Sequence, residues 1–157
     1  MSLIYQNDPA LPKLYHEQAC MLACTAALPQ IYLWKFLTAA QFLLLGSTLV
    51  AENQISADLG LIYQHSPYQV IKKTAEYLNA PNIRGLQVGR IRDGVITFWP
   101  SVAEHSFNGV IARVKLSNGV THFVVYTIEF QPFFNPQPWR TDYVVEEYLL
   151  YRVYSKE

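Results

Sequence analysis

Apolar residues recur along this chain with two different periods, and the change from one to the other falls near residue 86. The first half reads as helices. Gln18-Ala-Cys-Met-Leu-Ala-Cys24-Thr-Ala-Ala-Leu28 is apolar and helix-prone. Pro29 lacks an amide donor and clashes with the preceding turn, so it is expected to end or kink a short helix running from Cys20 to Leu28. Thr38-Ala-Ala-Gln41 then has the spacing of a capping box, with Leu37 and Phe42 placed as a hydrophobic staple. The helix it opens is expected to run to about Ala51, and its lack of a polar face predicts cover on several sides. Ser66-Pro67-Tyr-Gln69 supplies an N-cap, an N1 proline and a capping-box glutamine for a third helix. Its Val70, Ile71, Thr74, Ala75 and Leu78 share one face, and it should end near Asn79, before Pro81.

After residue 86 the period shortens to two. Leu86–Ile91 and Val95–Trp99 flank Asp93-Gly94, whose residues accept the positive φ angles of a tight hairpin turn. Val110–Leu116 and Val120–Phe130 form a second expected hairpin about Ser117-Asn118-Gly119, and the later strand is apolar on both faces, as a central strand would be. Phe133 to Trp139 carries or adjoins Pro132, Pro136 and Pro138 and is expected to be a loop. Tyr143–Tyr154 returns as a final strand. The expected class is α+β, one domain over residues 1–157 with helices at about 19–79 packed on an antiparallel sheet at about 86–154.

Composition narrows the function. Twelve basic residues balance twelve acidic ones, so there is no broad cationic surface for nucleic acid or anionic lipid. Arg84, Arg90 and Arg92 make the one local basic cluster, which a solvated hairpin face accounts for. The uncharged run Phe36–Ala51 is interrupted by Thr38, Gln41, Gly46, Ser47 and Thr48, and a membrane span needs about 20 predominantly apolar residues. A buried helix is therefore expected rather than a span. Two cysteines four positions apart make neither a disulfide framework nor a zinc site, and the start of the chain shows no secretory pattern. A reducing cytoplasm is the expected setting, with no metal or cofactor.

The chemistry that remains is that of a thiol. A thiol hydrolase needs its sulfur where helix-terminal amides favour a thiolate and its base on a rigid element far away in sequence. Cys20 heads an apolar helical stretch, His122 opens the strand Thr121-His-Phe-Val-Val-Tyr126, and Asn135, thirteen positions on, is a polar group able to orient an imidazole. Gln18 stands two residues before Cys20. Glu104 and Asp142 are substitutes for Asn135 that no spacing selects. His16 lies upstream of the first expected helix, His65 before a cap and His105 in a loop.

With Gln-x-Cys opening a helix and His-Phe-Val-Val in a strand, the chain resembles the papain-like cysteine peptidase superfamily, in its compact bacteriocin-processing, C39-like branch. The outline spans about residues 15–154 and rests on Gln18, a cysteine, His122 and Asn135. The chain is also similar to an uncharacterised family of small bacterial and phage proteins known from spirochaetes. Gln18-Ala-Cys20, Leu37-Thr-Ala-Ala-Gln41 and Tyr151-Arg-Val-Tyr154 carry that likeness, with Ala19 where that family has glycine. The first resemblance implies a papain-like fold and a Cys-His-Asn hydrolase acting on a peptide or amide, with Gln18 in the oxyanion hole.

The family interval of six positions from glutamine to nucleophile fits Gln18 and Cys24, whereas the helix-dipole effect, confined to the first turn, favours Cys20. Cys20 is taken as the nucleophile. The alternative is an inactive papain-like domain serving as a binding or assembly module of phage or mobile-element origin, its cysteines being small core residues.

Overall fold

The computed structural model describes residues 2–100 and 106–156, so Glu104 and His105 lie outside the described residues. Among the described residues four helices precede six strands: α1 (Lys13–Gln18), α2 (Cys20–Leu33), α3 (Ala39–Ala51), α4 (Ser66–Tyr77), β1 (Ile83–Arg92), β2 (Val95–Phe98), β3 (Gly109–Leu116), β4 (Thr121–Tyr126), β5 (Pro132–Phe134) and β6 (Tyr143–Ser155). The strands form one antiparallel sheet in the order β2-β1-β6-β3-β4-β5. The expected α+β arrangement, helices first and antiparallel sheet after, is observed.

Local chemistry explains the elements that match expectation. Thr38 Oγ1 accepts from the Gln41 amide at 3.1 Å and the Gln41 side chain accepts from the Thr38 amide at 2.9 Å, closing the capping box of α3. Asp93 and Gly94 take φ of 51° and 74°, the conformation that lets β1 turn straight into β2. The predicted face of α4 is buried throughout, against α2 and β1.

Several elements depart from expectation. Lys13–Gln18 is helical, so His16 sits inside a helix rather than upstream of the first one. Pro29 does not end α2, which continues to Leu33 and stops at Trp34 in the left-handed conformation. Every residue from Leu22 to Gln30 is buried, and that packing outweighs the missing proline donor. The turn beyond is held by the buried Gln30 side chain, which donates to Ala26 O at 2.9 Å and accepts from the Leu37 amide at 2.8 Å.

Helix α3 is covered on one face only. Phe42, Leu45, Gly46 and Leu49 are buried while Leu44 is 54% exposed, because small residues (Ala40, Ser47, Ala51) make up much of the outer face and lose little by meeting water. Ser66 does not cap α4. It is the first helical residue, its hydroxyl donates to Gln54 O at 2.6 Å, and His65 holds the N-cap position without a side-chain bond.

The second hairpin is also corrected. Strand β4 ends at Tyr126 rather than Phe130, because the Thr127 carbonyl takes the Phe130 amide and Phe130 adopts φ of 62°, turning the chain back. Phe133 and Phe134, at the start of the expected loop, instead belong to edge strand β5. Pro132 is tolerated there as the first residue of an edge strand.

Three apolar clusters result. One joins α1, α3, α4 and the start of α2; a second joins α2 and α4 to one face of the sheet. The third lies on the opposite face, around Val110, Ala112, Val114, Val124 and Leu150. That face is covered by large side chains: Tyr148 meets Tyr126 and Phe130 with ring centroids 5.4 and 4.9 Å apart, and Phe107 lies 6.2 Å from Phe130. These aromatic residues pack the outer face of the sheet, while Trp34, Phe133 and Trp139 are exposed. Among the described residues no helix is long and apolar enough to cross a membrane.

Candidate functional site

The single residue Ala19 joins α1 to α2. Its amide bonds to Tyr15 O at 3.1 Å and its carbonyl accepts from Ala23 at 2.8 Å, so one helix passes its backbone bonding to the next and Cys20 falls at the first position of α2. Helix α2 then lies along β4. The backbone of Phe123 lies close enough to act on the Cys20 thiol and that of Val125 on the Cys24 thiol, so one helical turn spans two strand residues.

The cysteines differ in access. Cys24 is fully buried among Leu28, Ile71, Ile111 and Tyr151, where desolvation holds its thiol well above the ordinary range. Cys20 is partly exposed and lines two cavities. Its thiol is nevertheless pushed up to about 11, chiefly by burial, against which the amides of Met21, Phe123 and Cys20 itself pull down. The expectation that the helix start would acidify this sulfur is therefore corrected. Loss of water around the charged form outweighs the few amide dipoles offered to it.

His122 is 2% exposed and lines the smaller cavity with Cys20 and Gln18. Its Nε2 lies 2.7 Å from Asn135 Oδ1. The orientation of the Asn135 amide is fixed by two backbone groups: its Nδ2 donates to Arg140 O at 2.8 Å, which can only accept, and its Oδ1 accepts from the Gln137 amide at 3.0 Å, which can only donate. The oxygen must then face the imidazole, so Nε2 carries the proton and Nδ1 of the neutral ring is the basic nitrogen. Burial lowers the imidazole pKa; the Asn135 bond raises it in part, and the Arg140 charge lowers it further. Among the described residues no hydrogen bond joins the Cys20 sulfur to this ring, so the resting pair is a thiol and a neutral imidazole rather than an ion pair.

The loop that carries Asn135 is strapped to α1, the helix that leads into Cys20, by residues that show no signature in the sequence. Gln137 Nε2 and Gln6 Nε2 both donate to His16 O, at 3.2 and 3.0 Å, and the Gln6 amide bonds to Pro136 O at 2.9 Å. Both glutamines are buried and line the smaller cavity. These contacts span up to 121 residues, so no local pattern could have revealed them.

Gln18 is exposed at the end of α1 and borders both cavities beside Cys20. The other candidates lie elsewhere in their bonding: His16 bonds through Nε2 to Asp8 O at 2.9 Å, His65 stacks on Tyr63, and Asp142 accepts from Ser117. Of the basic cluster, Arg90 pairs with Glu147 and Arg84 donates to Pro81 O and Ile83 O.

The two cavities have different chemistry. The larger, about 1100 Å³, is bordered by the 59–64 loop and by strand residues on the sheet face that carries α2, with Tyr63, Tyr68, Leu86, Trp99, Phe123 and Leu149 on its walls. The smaller, about 380 Å³, contains His122, Trp139 and Arg140. Glu17, Gln18, Cys20, Val120 and Thr121 line both, which puts the thiol at their junction. Compared with protein-family models, curated proteins and solved structures, the chain matches none of them.

Proposed function

We propose that the protein is a papain-like thiol hydrolase of peptide or amide bonds, with Cys20 as nucleophile, His122 as base and Asn135 as the group that orients it. The observation that supports the reading is the Asn135 amide, locked by Arg140 O and the Gln137 amide so that His122 keeps Nδ1 free for a proton beside a cavity shared with Cys20. The resting thiol is protonated, so His122 Nδ1 takes its proton as the sulfur attacks the carbonyl and the C–S bond forms. The Cys20 amide and Gln18 stabilise the oxyanion. The imidazolium returns its proton to the departing nitrogen as the C–N bond breaks, and water then hydrolyses the thioester.

The test is alkylation of Cys20 by iodoacetamide, read by mass spectrometry across pH. A working pair gives labelling at neutral pH that rises along a limb below the ordinary imidazole range and drops on the order of 100-fold in His122→Ala. Labelling that climbs only toward pH 11 and ignores His122 removes the hydrolase reading. The raised Cys20 thiol and the lack of a sulfur–imidazole hydrogen bond favour, in that event, a non-catalytic papain-like binding or assembly module.

A further inference from the structure

The smaller cavity holds a cation that neither the fold nor the proposed triad uses. Arg140 lines it, its carbonyl holds Asn135, and its charge is near enough to act on the His122 imidazole. Its Nε is buried without a hydrogen-bond partner, and among the described residues its guanidinium forms no ion pair. A buried donor left unsatisfied is costly, and a guanidinium is shaped to receive two carboxylate oxygens at once. Of the acids nearby, Asp142 is exposed, engaged by Ser117 and held down in part by the Arg140 charge without pairing to it, and Glu17 is exposed at the junction of the two cavities. Trp139, 53% exposed, supplies an apolar wall beside the cation.

We propose that Arg140 is the specificity-determining residue of the smaller cavity, and that the substrate presents a carboxylate to it while its apolar portion lies along the larger cleft. The assignment rests on the thiol-hydrolase reading for its place in a reaction, but the binding preference is measurable without turnover. The larger cleft offers tyrosine, tryptophan, phenylalanine and leucine side chains, and the smaller offers a guanidinium that forms no ion pair among the described residues, with Glu17 at its mouth and polar neighbours, so the two ends of the bound molecule differ in chemistry.

The thiol at the junction is its own reporter. Iodoacetate and iodoacetamide both transfer a carbon to sulfur as the C–I bond breaks and iodide leaves, and they differ in one charge. The ratio of their rates at Cys20, measured at alkaline pH, cancels the intrinsic reactivity of the thiol and isolates attraction for a carboxylate. Arg140→Gln is expected to lower that ratio about fivefold and Glu17→Gln to raise it. An unchanged ratio in Arg140→Gln overturns the assignment. Failure of the hydrolase reading looks different, as labelling indifferent to His122 with the charge preference intact.

Calorimetric titration of Cys20→Ala then separates the sources of the carboxylate. N-acetyl-phenylalanyl-glycine binding tighter than its C-terminal amide identifies a chain terminus, and the α-amide of N-acetyl-phenylalanyl-aspartate, its side-chain carboxylate free, binding tighter than that same neutral amide identifies an acidic side chain. If neither exceeds the neutral amide, the proposal falls.

Discussion

His122 Nε2 and Asn135 Oδ1 lie 2.7 Å apart, and the rest of the Asn135 amide is spoken for by the backbone of its own loop. Removing that amide frees the ring and strands two backbone groups. Asn135→Ala should cost roughly 1–3 kcal/mol in chemical denaturation and slow His122-dependent labelling of Cys20 roughly tenfold. Unchanged labelling in a folded variant would show that the ring is oriented by its packing alone.

Replacing the amide by a carboxylate changes charge rather than shape. In Asn135→Asp an anion faces the ring and favours the imidazolium, so the His122 pKa should rise from its depressed value toward or past 6.5, followed by NMR titration of the ring protons. A value that stays depressed would show that burial dominates even against an adjacent charge.

The same depressed imidazole has a stability consequence. The unfolded chain takes up the proton near pH 6.5 and the folded chain only at lower pH, so unfolding is favoured by proton uptake. The contribution of His122 to stability is present above pH 6.5 and is lost as pH falls through the folded value. Denaturation midpoints of wild type and His122→Gln should therefore converge or cross on acidification; parallel curves from pH 8 to 5 would refute the linkage.

Gly46 in α3 faces Tyr15 of α1, whose hydroxyl donates to Leu43 O at 2.8 Å, and a Cβ at residue 46 would run into the phenol ring. Gly46→Ala should destabilise by about 1–3 kcal/mol despite the better helix propensity of alanine. Because α1 carries Gln18 and leads into Cys20, the iodoacetamide rate at Cys20 should change as well. A gain in thermal stability would mean that α1 shifts without cost.

The parts of this fold that were legible in the sequence are those decided within a few residues. The Thr38–Gln41 box, the Asp93-Gly94 turn and the buried stripe of α4 are local bargains between side chains and their own backbone. Pro29 misleads because its penalty is local while the burial that overcomes it comes from α4 and the sheet. Phe133 and Phe134 mislead because a proline at the start of an edge strand owes no donor to the ladder. At the site, Cys20, His122 and Asn135 announce themselves by residue type and element. Gln6, Gln137 and Arg140 matter only through contacts made in three dimensions, and the rise in the Cys20 thiol depends on how much water the packed helix excludes.

Strand β6 lies between β1 and β3, which do not pair with each other. During synthesis the β1–β2 and β3–β4 hairpins emerge before the segment that unites them, so the sheet can join its two halves only once residues 143–155 are made. Such high contact order slows folding and leaves unpaired ribbon edges waiting on the nascent chain. A polypeptide arrested at residue 142 should accordingly be protease-sensitive throughout, with Cys20 labelled as freely as a thiol in an unfolded peptide.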